Sequence, residues 1–203
     1  MEDRQVVASS SRDLDLPVWD EVDARLLDVA SDLIASRGTG GFTIAELARD
    51  ARVSRPTIYR RWSGTDEVVR AALLRQTVSI IASMSPEVGS GQELVAEVMR
   101  FSELFREDRV FRRLLDREPE AFTQYSLERV GSSQRAMLRW LEDAIARCQA
   151  DSSVREGAPG DMSVMLLLIV QSAVLSRQAV SSLIGASEWH RELTHAVEGY
   201  LRP

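Results

Sequence analysis

The residues of this chain with the clearest capacity for chemistry are arginines concentrated in one short segment. Between residues 49 and 62 the sequence has one acid, Asp50, and five arginines, which are Arg49, Arg52, Arg55, Arg60 and Arg61. The whole chain of 203 residues is acidic, with a net charge of −6. A local excess of guanidinium groups in an acidic chain predicts contact with a polyanion at this segment. On charge alone, a solvated helix face would explain the same cluster.

Patterns for catalysis and metal binding are not found in the sequence. His190 and His195 are the only histidines, and neither has the neighbouring residues that a catalytic triad or a metal site requires. Cys148 is the only cysteine and has no electropositive setting. The glycines of residues 38–41 lack the Lys-Ser/Thr of a phosphate-binding loop. We therefore expect no enzymatic activity, no cofactor and no metal.

Composition and the chain start predict a protein of the cytoplasm. A single cysteine excludes an intramolecular disulfide. The longest uninterrupted apolar run is the seven-residue Val164–Val170, far short of the roughly 20 residues that cross a bilayer, so we expect no membrane span. The first twelve residues are polar and lack the apolar core of a secretory signal.

The elements that position the basic segment are predicted to be helices. Apolar residues recur with a period near 3.6 and no alternating strand pattern occurs, so the sequence predicts an all-α protein of about nine helices. Residues 1–16 are predicted to be a flexible arm. A first helix is expected from Pro17 to Arg37, ended by Gly38 and with one apolar stripe formed by Val22, Leu26, Val29, Ala30, Leu33 and Ile34.

Two short helices follow and carry the arginines. Thr43 and Glu46 have the spacing of a capping box, which starts a helix that ends near Ala51. Ser54 caps the next helix, with Pro56 in its first turn. Inward-facing Val53, Ile58 and Trp62 leave an outer face made of Arg55, Pro56, Thr57, Tyr59, Arg60 and Arg61.

This arrangement is a helix-turn-helix, whose second helix enters the major groove of DNA. Arginines near the helix start suit bidentate contact with guanine. The hydroxyls of Thr57 and Tyr59 suit phosphate oxygens, as does Thr43 with the amides behind it. Taken singly, each of these residues fits packing, capping or solubility as well as DNA contact.

Two segments together resemble the DNA-binding domain of the TetR family of bacterial transcriptional regulators. They are residues 42–62, with the Thr-Ile-Ala start and the Val-Ser-x-x-Thr-Ile-Tyr core, and the preceding residues 26–38. The resemblance extends over about residues 22–75. It implies a dimeric, sequence-specific transcriptional regulator, expected to be a repressor whose operator affinity a small molecule changes. It also implies base reading by Arg55, Pro56, Thr57 and Arg60, and phosphate contacts by Thr43, Tyr59 and Arg61.

Two residues depart from the family pattern. Arg52 stands at the turn where members usually have glycine, and a left-handed backbone there would cost about 1–2 kcal/mol relative to glycine. Thr65 stands at the start of the fourth helix where many members have lysine. One phosphate contact is therefore expected to be missing or to pass to backbone amides.

The rest of the chain is predicted to be a second helical domain. We expect a DNA-binding domain at residues 17–63, a connecting helix at 64–85 and an effector-binding and dimerisation domain at 86–203, with the boundary in the turn-rich residues 85–91. Helices are expected near residues 92–106, 108–116, 120–149, 161–182 and 187–201, the third of them interrupted near Gly131.

The helix from Asp161 is apolar nearly all round, which requires burial on more than one side. Dimerisation through residues 161–182 and 187–201 would supply it, and the resemblance implies the same pairing. A two-fold dimer would place two recognition helices about 34–36 Å apart on a pseudo-palindromic operator. The alternative is a helix buried wholly within its own monomer.

Aromatic residues on the middle helices have the composition of an apolar effector pocket, and equally that of a core. The candidate effector-binding residues are Tyr125, Trp140, Phe101, Phe105, Phe122 and Gln171. A helical protein–protein adaptor with a vestigial DNA-binding domain remains the alternative function.

Overall fold

The structure, a computed structural model, describes residues 17–120, 122–123 and 131–203. This part of the chain contains helices and no strands, which confirms the all-α prediction. Nine helices with defined bounds lie in it: α1 Glu21–Arg37, α2 Ile44–Asp50, α3 Arg55–Tyr59, α4 Thr65–Ala82, α5 Gly91–Glu107, α6 Arg109–Arg117, α7 Ser132–Ala150, α8 Pro159–Ser176 and α9 Ala186–Leu201. The predicted arm at residues 1–16 and the pocket candidate Tyr125 lie outside the described residues.

Helix α1 begins four residues later than the sequence predicted. Asp20 is its N-cap: the carboxylate accepts a hydrogen bond from the amide of Asp23, and the Asp23 carboxylate accepts one from the amide of Asp20. This reciprocal capping box satisfies two of the amides that have no partner within the helix, and it places the helix start directly after Asp20.

The end of α1 is tied to the C-terminal half of the chain. Gly38 has φ of 91°, and a Cβ at this position would lie 1.6 Å from a carboxylate oxygen of Glu118. That carboxylate accepts hydrogen bonds from the amide of Thr39 at 3.2 Å and its hydroxyl at 2.7 Å. Glycine is required here for the positive φ, and a Cβ at this position would also displace the Glu118 carboxylate from Thr39.

The buried side chains form two cores. The first core holds α1, α2, α3 and α4 together. It also contains Val110, Phe111 and Leu114 of α6 and the helical residue Phe122. The second joins the end of α4 to α5, α7, α8 and α9. Helix α6 thus packs with the DNA-binding helices although it follows the domain boundary predicted at residues 85–91.

Two helix boundaries differ from the sequence prediction. The segment expected to be a helix over 120–149 is helical at residues 120 and 122–123 but not at Gly131, which is the N-cap of α7, so the interruption near Gly131 is confirmed. The helix expected to reach residue 182 ends at Ser176 and continues as turns. Val180 and Ser181 are weak helix formers, and the Ser181 hydroxyl donates to the carbonyl of Gln178 at 2.8 Å, which competes with helical hydrogen bonding.

Helix α8 exposes an apolar face. Its 18 residues have a mean hydropathy of 1.5, and only 28% of them are buried. By length and composition alone it is long and apolar enough to cross a membrane, which the count of uninterrupted apolar residues did not indicate. The core helix of a soluble protein passes the same test, and α8 buries Met162, Leu166, Val170 and Val174 against the rest of the chain.

The turn between α2 and α3 has a strained residue, which yields a stability prediction. Arg52 has φ of 55°, and the other non-glycine residue with positive φ in the described part of the chain is Ser152, at 61°. Arg52→Gly should raise the free energy of unfolding by about 1 kcal/mol, because glycine adopts this backbone without a Cβ clash. Urea denaturation measures the change.

Two variants serve as controls. Arg52→Ala keeps the Cβ while removing the charge, so its unfolding free energy should stay near that of the wild type. Ser152→Gly should be stabilising in the same way without any effect on DNA affinity. Equal stability of Arg52→Gly and Arg52→Ala would show that the left-handed backbone carries no strain.

Candidate nucleic-acid interface

The two short helices α2 and α3 are held by caps and by a small apolar contact. Thr43 caps α2, and its hydroxyl accepts from the amide of Glu46 at 3.2 Å. Ser54 caps α3, and its hydroxyl accepts from the amide of Thr57 at 3.3 Å. Ile58 of α3 is fully buried in the first core together with Leu47 of α2. A helix of five residues cannot be stable alone, so this burial fixes its orientation.

The outward face of α3 presents free cationic groups. Arg55, Pro56, Tyr59 and Arg60 are exposed, as the sequence predicted, and Tyr59 retains 56% of its accessible surface. Among the described residues, the side chains of Arg55 and Arg60 have no ion-pair or hydrogen-bond partner. Exposed, unpaired guanidinium groups on one face of an acidic protein are suited to guanine edges and phosphates.

Two of the three hydroxyls predicted to contact DNA, those of Thr43 and Thr57, are already hydrogen-bonded. The Thr57 hydroxyl lies 2.7 Å from the Ser54 hydroxyl. The Thr43 hydroxyl donates to the Glu46 carboxylate at 3.0 Å. Hydrogen bonds from the Thr43 amide, first of all, and from its hydroxyl hold the pKa of Glu46 below its usual value. A phosphate contact at Thr43 must therefore share this hydroxyl and tolerate a nearby carboxylate.

Arg61 is engaged differently from the sequence prediction, which placed it on a phosphate. Its Nη2 donates to the Asp20 carboxylate at 2.7 Å and its Nε to the Asp23 carboxylate. The amide of Asp23 and the Arg61 guanidinium hold the pKa of Asp20 below its usual value. Because both carboxylates compensate its charge, Arg61 joins the end of α3 to the cap of α1 and is not a free cation. The sequence could not show this pairing, since the partners are about 40 positions apart.

The start of α4 provides no positive charge. Its N-cap is Gly64, which has no side chain to cap the helix, and the first turn contains Asp66 and Glu67. The amide of Ser63 donates to the Glu67 carboxylate at 2.7 Å, which is the main reason for the lowered pKa of Glu67. At Thr65 only a hydroxyl and backbone amides are available to a phosphate, in place of the family's lysine.

A cavity of about 100 Å³ lies in the C-terminal half between α4, α5, α7 and α8. Four of the predicted effector-binding residues line it, namely Phe101, Phe105, Phe122 and Gln171. Trp140 does not: it packs in the second core on the buried side of α7. Sequence reasoning missed Thr77, Ser133 and Gln134, because a small polar residue inside an amphipathic helix gives no pattern that distinguishes a cavity wall from a surface.

The cysteine thiol and the possible metal ligands of the described structure are placed unfavourably for nucleophilic catalysis and for metal binding. Cys148 is buried, and that burial is the main reason for its raised pKa, which disfavours the nucleophilic thiolate. Within residues 17–120, 122–123 and 131–203, no group of three or more His, Cys, Asp and Glu side chains is arranged to hold a metal ion.

An exposed arginine-bearing helix, held at a fixed angle by a capped partner helix, defines a DNA-binding protein of the helix-turn-helix class. Residues 26–72 match the family model of bacterial regulatory proteins, tetR family. An HTH-type transcriptional regulator of Mycobacterium bovis is 31% identical over 177 residues, which covers 87% of this chain and 93% of that protein. The chain belongs to the TetR family and is a transcriptional regulator.

Two solved structures share the fold of this chain. SmeT, the repressor of the Stenotrophomonas maltophilia multidrug efflux pump SmeDEF, superimposes with a TM-score of 0.63 at 16% identity and covers 89% of this chain and 90% of that one. FadR of Bacillus subtilis in complex with stearoyl-CoA has a TM-score of 0.62 at 11% identity, with 88% and 99% covered.

The adjacent arginines that follow α3, Arg60 and Arg61, should behave differently when removed. Arg60→Ala should weaken binding to a preferred operator by about 1–3 kcal/mol without changing the stability of the fold, because this side chain has no intramolecular partner in the described structure. Arg61→Ala should lower the midpoint of urea denaturation, because it leaves Asp20 and Asp23 without their cation. Fluorescence anisotropy with labelled DNA and urea titration measure the two effects.

The pair of variants also tests the assignment of Arg61. Suppose that Arg61→Ala is as stable as the wild type and loses as much DNA affinity as Arg60→Ala. That result would mean that the Arg61 guanidinium contacts DNA and does not pair with the cap of α1.

Proposed function

We propose that this regulator is a homodimeric repressor that binds a pseudo-palindromic operator and is released by a small molecule bound in the C-terminal half. The exposed Arg55 and Arg60, at the start of α3 and directly after its end, carry this proposal, because they give one face of an acidic chain the chemistry of DNA reading. In this proposal residues 17–63 bind DNA, 64–85 connect, and 86–203 bind the effector and the second subunit. Such a regulator acts on DNA in the bacterial cytoplasm.

The exposed stripe of α8 supports dimerisation. Val164, Met165 and Leu168 are between 44% and 48% exposed and lie on one side of the helix, beside Ser172 one turn further on. Exposed neighbouring apolar side chains of this size are typical of subunit interfaces. A second copy of the chain would cover them and would bring two recognition helices onto successive major grooves.

Residues shared by the cavity and the first core support release by a ligand. Phe111 and Phe122 line the cavity and are also buried among the DNA-binding helices. Arg109 at the start of α6 pairs with Asp32 of α1, and Glu118 at its end holds Thr39. A ligand that shifts α6 would therefore move α1, and it would lower operator affinity by the difference between its affinities for the two positions.

Selection of bound sequences from a random DNA pool tests operator binding. We expect a pseudo-palindrome whose affinity falls with salt by a slope of about −0.9 per neutralised phosphate. The double variant Arg55→Ala with Arg60→Ala should lose selection while remaining folded. Retention of DNA without sequence preference by both proteins would favour the adaptor alternative.

Disruption of the α8 stripe tests the dimer. Leu168→Glu should convert the protein to a monomer at micromolar concentration, because it would bury an unpaired charge at the contact between subunits. Its operator affinity should fall with it, because each monomer reads one half-site. Sedimentation velocity measures the mass.

Val18→Glu is the matched control, since Val18 is 95% exposed and lies before α1, far along the chain from α8. This variant should stay dimeric. A Leu168→Glu protein with the mass of the wild type would exclude the α8 stripe as the interface.

A further inference from the structure

The walls of the cavity between α4, α5, α7 and α8 are apolar and aromatic. Phe101 and Phe105 stack with ring centroids 5.8 Å apart, and Phe105 stacks on Phe111 at 3.9 Å. Phe122 completes this wall, 6.1 Å from both Phe105 and Phe111. The opposite side is made mainly of leucine and valine side chains of α8. Such walls favour a flat hydrocarbon body over a polar one.

None of the described residues that line the cavity carries a charge. Burying an ionised group without a partner costs several kcal/mol or more, so the wall selects against carboxylates, phosphates and ammonium groups. The two hydroxyls on α4 and α5 do not change this, because Thr77 donates to the carbonyl of Leu73 at 3.0 Å and Ser102 to that of Val98 at 2.9 Å.

One end of the cavity has an unused hydrogen-bonding group. The hydroxyl oxygen of Ser133 is buried and has no hydrogen-bond partner within the described structure. Beside it, Gln134 is fixed at both ends of its amide: its oxygen accepts from the amide of Gly131 at 2.9 Å, and its nitrogen donates to Gln171 at 2.8 Å. A buried hydroxyl without a partner is uncommon in folded proteins and indicates a site for an absent partner.

Size limits the ligand further. A dry protein cavity of about 150 Å³ lined by apolar side chains accepts benzene, and this one is about 100 Å³. One ring fits with a small adjustment of the phenylalanine side chains, whereas a long acyl chain does not.

We infer that the effector is a neutral compound with a single hydrophobic ring and one oxygen substituent, whose oxygen accepts a hydrogen bond from the Ser133 hydroxyl while the ring lies against Phe101, Phe105 and Phe122. This inference rests on the proposed effector role of the cavity. It specifies the ligand by charge, by size and by the position of its polar atom.

Three probes of one ring each separate these requirements. Benzyl alcohol is neutral and has the oxygen, toluene lacks the oxygen, and benzoate has oxygens but is an anion at pH 7. In calorimetric titration of the dimer without DNA, benzyl alcohol should bind most tightly, toluene more weakly, and benzoate at least tenfold more weakly than benzyl alcohol. Benzoate binding as tight as that of benzyl alcohol, or no binding of any ring compound, would overturn the inference.

Ser133→Ala tests the hydrogen bond, with Ser132→Ala as the matched control because Ser132 is exposed on the same turn. Ser133→Ala should weaken benzyl alcohol binding five- to tenfold and leave toluene binding unchanged, the effect of one hydrogen bond. Ser132→Ala should leave both unchanged. Toluene binding reports that the variant cavity is intact, so an equal loss for both probes would contradict the role of Ser133.

The outcome for DNA is measured separately. If benzyl alcohol binds as expected but leaves operator affinity unchanged at saturation, the ligand class stands and the proposed effector role fails. If operator binding itself is missing, the proposed function fails whatever the cavity binds.

Discussion

The burial of one face of α6 is the contact on which the rest of this structure depends. Val110, Phe111 and Leu114 are almost completely buried among α1 and α4, and the same phenylalanine forms part of the cavity wall. A side chain shared between a core and a cavity cannot move for one without disturbing the other, since protein interiors are close-packed. The helix-turn-helix core and the cavity are therefore packed as one unit.

The arginines of the chain differ in whether an acid lies beside them. Several arginines of the described structure are placed against acids, as Arg61 is against Asp20 and Asp23 and Arg109 against Asp32. Arg55 and Arg60 are left to face outward in a chain of net charge −6. Long-range repulsion from the acidic body then opposes non-specific attachment to DNA, while the local cations of α3 favour approach in the correct orientation.

Local signals in the sequence determined what could be predicted. Thr43, Glu46, Ser54 and Pro56 define the helix-turn-helix through caps that operate within four residues, and the outward face of α3 follows from them. The engagement of Arg61 and the contact of Glu118 with Thr39 join residues 38 and 79 positions apart, which no local pattern reveals. The cavity was predicted only as a set of aromatics, because a core and a pocket have the same composition.

Completion of the first core by α6 has a consequence for how the protein is made. The helix-turn-helix is translated early, but the side chains that close its core extend to Phe122. While only the first 85 residues have left the ribosome, the apolar faces of α1 and α4 that receive α6 remain open to solvent. The helix-turn-helix half therefore completes its core only after synthesis has passed Phe122, so its folding is coupled to that of the segment that follows it.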